Sequence, residues 1–464
     1  MRWPRPGRMR RLVSTLVLGV LVWALVCWAF LPYDSAPVLW IHFVVGRLVS
    51  TLRPPISSSD WLSVQPRFPV DFDVDVAFIA KTGYGTHHRL LAQLDALNLV
   101  MHDGTRGNTI VIADFAIELQ HNGHKLVVHD VVAPLASDKA LLGKKGYERI
   151  VKYKDMTAAI QSGRKEEAKA ITKSFGWELD ALKFIPGMDL AYQQMPDRKW
   201  YIIVDDDTYL VHGSLRAMLD RLDPSVPAYI GNGVGDFKGR FAHGGSAIIV
   251  SGAAMSLLFD QNRDLLPAEI VNSLSETWGD KLVATALQKI GVYLDERFNH
   301  FFNGERPEIT RIRADRLCSP IISFHGLAQP EQMAAVGDKF RKVKGILLWG
   351  SLWKLYKRPS MPAYARTPVR ADMDHVGRLD EATMTFKGIE KPELCLKNCN
   401  KHYQTCLAWT WDSKDKACHI SPWIIVGEHA PGKYSGVNAG RLQRISEKCL
   451  SESKRGILDT VPRV

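Results

Sequence analysis

Several signatures that would settle the class of this chain at once are missing from it. No CxxC pair occurs among its seven cysteines. Cysteine-based zinc modules rest on such pairs, so disulfides are the favoured use of these thiols. No Asn-x-Ser/Thr triplet occurs, so the sequence carries no glycosylation mark of a luminal face. No internal repeat is present, which sets solenoids and propellers aside. There is no basic helix with interleaved aromatics and no zinc-finger spacing, so the net charge of +11 is not read as a nucleic-acid footprint. An anionic donor molecule or an acidic membrane surface accounts for that charge as well. What is present is length and apolar content. The 464 residues, 46 % hydrophobic, suffice for one large domain with a smaller one, or for two or three domains.

Residues 12–31 form an uncharged run of twenty, rich in Leu, Val and Trp. As a helix it would extend about 30 Å, one hydrocarbon core. Arg2, Arg5, Arg8, Arg10 and Arg11 precede it, and Asp34 follows. The expectation is a membrane anchor with residues 1–11 cytosolic and the rest luminal. A cleaved signal peptide is the rival. The run is longer than a usual signal core, and bulky Trp23, Trp28 and Phe30 stand where a cleavage site needs small residues. Residues 38–45 are apolar but too short to span; they lie on the membrane or pack within a stem over residues 32–70. Cys27 falls in the anchor. Cys395, Cys399, Cys406 and Cys418 cluster near the C-terminus, while Cys318 and Cys449 stand apart and are candidates to pair with each other.

Strand-like and helix-like runs alternate from residue 73 to about residue 324, which predicts an α/β domain with a mainly parallel sheet over residues 71–330. Predicted strands include 108–113, 125–128, 200–204, 228–231 and 247–250. Predicted helices include 85–99 and 280–290, and Ser251 is placed as the cap of a helix over 252–259. Residues 331–375 read as a closing segment and linker, residues 376–450 as a separate disulfide module, and residues 451–464 as a tail.

The strongest chemical signal is Asp205, Asp206 and Asp207, directly after the apolar run at 200–204. Open α/β sheets bind ligands at the carboxyl ends of their strands. Three like charges there do nothing for packing, but a divalent cation shared with a diphosphate would use them. An acidic solvated turn is the plain alternative. His325 also ends an apolar run and offers a third ligand; alone, such a histidine is more often structural. Asp280 is a candidate base, or an acid placed to suit a helix N-terminus. Gly244 and Gly245 would admit a ligand close to the backbone, or form an ordinary turn. Lys81 could meet a phosphate, or end a strand in solvent.

In order, Lys81 and Thr82, Asp114 after a strand, the three aspartates with Thr208 and Tyr209, His243 to Ala247, Gly279 and Asp280, and Phe324 with His325 resemble the family 31 glycosyltransferases, in the Fringe and core 1 β1,3-galactosyltransferase branch. The likeness covers roughly residues 72–330. It implies a GT-A fold, a UDP-sugar donor, Mn²⁺, inversion at the anomeric carbon and a β1,3 linkage to a glycan or glycoprotein acceptor. Carried over, Asp205 and Asp207 serve metal and donor, with Asp207 the more direct ligand, and His325 completes the metal site. Asp280 matches the base. Lys81, Thr82, Asp114, Asp205, Asp206, Gly244 and Gly245 match donor-side positions. The resemblance also implies a single-pass type II enzyme of the Golgi or endoplasmic reticulum, with galactose the foremost donor sugar. A non-catalytic chaperone or glycan-binding protein on the same fold is the alternative. Two positions depart from the family pattern: Gly279 replaces a paired acid, and Ser246 replaces a small or glycine residue. The tail is similar to PAN/Apple modules, which implies Cys395 paired with Cys418 and Cys399 with Cys406. Together the two likenesses imply a secretory enzyme of fungal type.

Overall fold

The computed structural model describes residues 6–52, 64–99, 101, 107–121, 123–236, 238–343 and 345–452, less the side chains of residues 6–13, 47, 49–52, 124 and 448–452. Helix α1 is Pro6–Phe30 and α2 is Ala36–Leu52. Among the described residues no helix is long and apolar enough to cross a membrane. The arginines and the start of the expected anchor lie outside the residues whose side chains are described. The short apolar patch at 38–45 lies within α2, which packs on the body of the protein. His42 stacks on Tyr293 at 3.7 Å, and the Tyr293 hydroxyl donates to the Tyr33 carbonyl.

The body begins with β1 (Val76–Lys81), α3 (Leu90–Leu97), β2 (Thr109–Ala113), β3 (Ile117–His121) and β4 (His124–Asp130). Helices α4 (Glu148–Gln161), α5 (Lys165–Asp180) and α6 (Phe184–Gln194) follow, then β5 (Trp200–Asp205), β6 (Tyr209–Leu210), α7 (His212–Leu219), β7 (Tyr229–Gly231) and β8 (Ile248–Ser251). After α8 (Gly279–Lys289) come β9 (Ile312–Arg313), β10 (Ser323–Phe324) and α9 (Pro330–Phe340). Seven strands form one sheet in the order β3-β4-β2-β1-β5-β8-β7. The central four, β4, β2, β1 and β5, are parallel, while β3 and β8 run against their neighbours. The sheet is mixed: β4, β2, β1, β5 and β7 run one way, and β3 and β8 the other. The predicted strands, the helix cap at Ser251, which accepts from the Ala254 amide, and the helix starting beside Asp280 are all present. Strand β3, with its half-exposed alternation, is one the apolar pattern did not mark.

Both faces of the sheet are covered, so its central strands are apolar throughout. Alternate residues go to opposite cores. Phe78, Ala80, Val111, Ile202, Val204 and Ile249 pack with α3, α7 and α9. Ala77, Ile79, Ile112, Tyr201, Ile203 and Ile248 pack with α6 and α8.

The C-terminal region holds β11 (Arg370–Asp374), β12 (Met384–Phe386), α10 (Pro392–Lys401), β13 (Ala408–Asp412), β14 (Ala417–Ser421), β15 (Trp423–Ile424), β16 (Glu428–Val437) and α11 (Ala439–Glu452). Its sheet has the order β11-β16-β13-β14-β12, all antiparallel. Cys395 is bonded to Cys418 and Cys399 to Cys406, the nested pairing that the resemblance implies. Cys318 is also disulfide-bonded, and the side chain of Cys449 lies outside the described residues.

The C-terminal region packs against the α/β body. Strand β9 pairs with β15 across the two regions, Ile312 opposite Ile424 and Arg313 opposite Trp423. The Arg311 guanidinium lies 4.4 Å from the Trp423 ring and forms an ion pair with Asp380. Val376, Leu407, Ile424, Val426, Val437 and Leu442 belong to the same apolar core as β1 and β5. Within the closing segment at 331–375, Leu347, Trp349, Leu352, Trp353 and Tyr364 are buried in that core.

Candidate functional site

The strand order reverses between β1 and β5, and the ends of these strands define the site. Lys81 and Asp205 are register partners there. Asp205 ends β5 and Asp206 and Asp207 form the turn after it, which brings Asp207 toward Asp205 and His325 and Asp206 toward Thr82. The turn is closed by the Thr208 amide on the Asp205 carbonyl, 3.0 Å, and by Gln93, whose side-chain amide donates to the carbonyls of Asp205 and Thr208. Strand β6 then pairs with β10, Tyr209 opposite Phe324, and this delivers His325 to Asp207.

Asp205, Asp207 and His325 present ligand atoms within 4.8 Å of one another. The His325 Nε2 lies 3.2 Å from Asp207 Oδ1, and its Nδ1 faces the Gly304 carbonyl at 3.3 Å. Burial works against protonating His325, but the bond and charge of Asp207 outweigh it and raise its pKa. Burial likewise works to raise Asp207, and His325 and Arg89 more than offset it, so its pKa is lowered. Gly245 is what lets His325 in: a Cβ there would sit 2.3 Å from the ring. Two carboxylates and an imidazole, gathered at one mouth, are a donor set that fits a divalent cation such as Mn²⁺.

Behind this cluster lies a buried ion network. Lys81 reaches Asp180 at 2.7 Å and Asp205 at 2.9 Å. Lys183 reaches Asp180 at 2.9 Å and Asp114 at 3.6 Å, and donates to the Thr82 carbonyl at 2.8 Å. Lys81, which the sequence offers to a phosphate, is thus committed to two carboxylates and acts on the cleft by holding them. Asp114 accepts from the Tyr84 amide at 2.9 Å. Asp206 accepts from the Thr82 hydroxyl at 2.6 Å, and Arg89 bridges Asp206 and Asp207 at 3.5 and 3.4 Å. Burial pushes Asp206 up to about 6.

Asp280 sits in the first turn of α8. Its Oδ2 accepts from the Gly244 amide at 2.8 Å and its Oδ1 from the Lys281 amide at 3.0 Å. Burial raises its pKa to about 6; the Gly244 bond works against that, and the charge of Asp205 adds to it. The two positions that depart from the pattern of the resemblance, Gly279 and Ser246, each have a physical reason here. A Cβ at Gly279 would lie 2.5 Å from the Phe184 ring and 2.8 Å from the Ala181 Cα, so no side chain fits. The Ser246 hydroxyl joins His243 at 2.9 Å and Asn232 at 3.1 Å, which locks the turn from beneath.

All the sequence-predicted site residues, Lys81, Thr82, Asp114, Asp205, Asp206, Asp207, Gly244, Gly245, Asp280 and His325, line one cleft of about 350 Å³. That volume is in the range of small-molecule sites. Its walls carry six carboxylates against three cationic side chains, Lys81, Arg89 and Lys183. Such an excess repels a bare diphosphate and attracts a cation first. Sequence reasoning named His243 only as part of the glycine-turn motif and missed Arg89, Gln93, Asp180 and Lys183. Asp180 and Lys183 are three residues apart at a helix junction, a spacing that could have marked them as an internal pair.

A family model described as Fringe-like matches residues 161–277, from the start of the α5 region through the aspartates and the glycine turn. No curated protein matches the chain. The Fringe-like match points to a glycosyltransferase, with a nucleotide-sugar donor and a glycan acceptor as the family's substrates.

Proposed function

We propose that the protein transfers a hexose, galactose foremost, from a UDP-sugar to the 3-hydroxyl of an acceptor glycan, with inversion and with Mn²⁺ as cofactor. The α/β body is then a GT-A domain. The observation that carries this reading is the meeting of Asp205, Asp207 and His325 with Asp280 in one cleft. When bound, the cation would neutralise the charge that develops on the departing diphosphate. Asp205, Asp207 and His325 would hold it, with Lys81 fixing the Asp205 carboxylate and Arg89 that of Asp207. Asp280 takes the proton of the attacking hydroxyl. A carboxylate raised to about 6 is ionised at neutral pH, yet binds a proton better than an ordinary aspartate. The acceptor oxygen bonds to the anomeric carbon, the bond from that carbon to the diphosphate oxygen breaks with its electron pair, and UDP leaves. The Gly244 amide keeps the Asp280 carboxylate aimed.

The run at 12–31 after five arginines supports a type II signal anchor and a luminal catalytic domain in the Golgi. The nested disulfides and short antiparallel sheet support a PAN/Apple-like C-terminal region. The test is UDP release by the purified protein from UDP-galactose, UDP-glucose and UDP-N-acetylglucosamine, each with Mn²⁺ or chelator and with mixed glycan acceptors. Acceptor-stimulated, cation-dependent release supports the reading; release from none of the donors sinks it.

A further inference from the structure

Thirteen tryptophans are present. Beyond α2, only two of the described ones are exposed, Trp177 at 56 % and Trp278 at 57 %, and both line the catalytic cleft. The other six described there are buried: Trp200, Trp349, Trp409 and Trp423 fully, and Trp353 and Trp411 nearly so. Leaving two indoles in water forgoes burial of large apolar faces, which is the mark of a surface kept for a ligand.

The backbone places the two indoles on one rim. Trp278 is the residue before α8 and stands two positions from Asp280. Gly279 packs so closely on Ala181 that no Cβ fits between them. Trp177 lies four residues, about one helical turn, before Ala181, which follows the end of α5. The rim is therefore on the side of the proposed base, where an attacking hydroxyl has to arrive. Thr172 and Thr277 line the same cleft, the Thr172 hydroxyl donating to the Lys169 carbonyl at 2.9 Å. Exposed indoles at the mouth of a polar cleft suit one chemistry: a pyranose ring, with its C–H face on the indole and its hydroxyls toward the polar walls. Charge narrows the class. The cleft already holds three more carboxylates than cations, and its donor is itself an anion. A uronic or sialic acid would add a further negative charge beside them.

We propose that Trp177 and Trp278 form the stacking platform for the acceptor, and that the acceptor is a neutral pyranose. This rests on reading the cleft as that of a UDP-sugar transferase. The test uses the full chain, the methyl glycosides of galactose, glucose, mannose and N-acetylgalactosamine, and methyl glucuronide as the charged probe. Acceptor KM is read from UDP release, and the UDP–Mn²⁺ Kd from calorimetry. Trp278→Ala and Trp177→Ala should each raise acceptor KM about tenfold or more, with partial recovery in Trp278→Phe. The UDP Kd should stay within about twofold of wild type, and methyl glucuronide should be the poorest acceptor. Unchanged acceptor KM in both alanine variants overturns the proposal. So does a UDP Kd that rises in step with KM, which would give the indoles to the uracil. A preference for the glucuronide, or no use of any neutral glycoside by wild-type protein that binds UDP–Mn²⁺, also overturns it. Wild-type protein that fails to bind UDP–Mn²⁺ at all would instead remove the transferase reading beneath it.

Discussion

Asp280 in the cleft and Asp374 in the C-terminal sheet are buried almost equally, 9 % and 7 % exposed, yet burial leaves them in opposite states. Asp374 is pressed upward by desolvation, but four partners overcome it. Its Oδ1 accepts from the amides of Val376 and Gly377 and from the Thr410 hydroxyl, and its Oδ2 meets Lys433 at 3.0 Å. The net result is a lowered pKa. Asp280 has two backbone amides and no cation in contact, and it ends at about 6. Burial alone therefore does not decide the state of a carboxylate. The partners do. The C-terminal region spends its polar groups on each other and closes them with disulfides. The cleft leaves some of its carboxylates under-compensated, which costs stability and leaves capacity for a cation and a proton.

The largest effect should follow from treating the two regions as separable. Truncation after residue 372 removes Val376, Leu407, Ile424, Val426, Val437 and Leu442 from the common core and exposes the β9 edge. We expect loss of the cooperative melting transition seen by circular dichroism, and loss of activity with it. A truncated chain that melts cooperatively and retains turnover would show that the two regions are independent after all.

Next in size is Asp280→Asn. Turnover should fall about 10²–10⁴-fold, the usual weight of a general base, with UDP–Mn²⁺ affinity retained because the amide oxygen can still accept from Gly244. In the wild type, kcat/KM should fall below about pH 6 as Asp280 takes up a proton. Stability should move the other way. A carboxyl raised from 3.8 to about 6 penalises folding, fully above the folded pKa and not at all below the unfolded one. Asp280→Asn should therefore stabilise the metal-free protein by up to about 3 kcal/mol at pH 7, and the gain should vanish near pH 3.5. An Asn variant less stable than wild type at pH 7 would return Asp280 to a structural role.

The smallest effect is the mirror image. Asp374→Asn should destabilise by about 1–3 kcal/mol at pH 7, with turnover per folded molecule unchanged. A lowered pKa contributes stability above the unfolded value and loses it as pH falls through the folded one. Denaturant titrations of the two variants should thus diverge from wild type in opposite directions at neutral pH and converge in acid. Equal signs at pH 7 would dissolve the contrast.

Local signals in the chain were legible where one strand or one turn carried them. The apolar run at 200–204 gave a strand and put the aspartates at its end; Ser251 marked a cap. His325 was legible as a strand end, but its approach to Asp207 depends on the pairing of β6 with β10 and on space at Gly245, neither of which has a local signature. Arg89, Asp180, Lys183 and His243 enter through contacts between elements distant in sequence. Within residues 331–375, five large apolar side chains stand among basic residues and prolines, and their burial has no local signature because their partners lie elsewhere in the chain. The Gly279 departure looked chemical and proved steric, since Phe184 and Ala181 occupy the space.

The central claim is that the acidic cleft binds a divalent cation, and UDP by way of it. Calorimetric titration of UDP into wild-type and Asp207→Ala protein, with Mn²⁺ and with chelator, tests that claim most directly. Binding by the wild type only with Mn²⁺, and its loss in Asp207→Ala with folding intact, is the predicted result. UDP bound equally well in chelator, or by Asp207→Ala as by wild type, would contradict it.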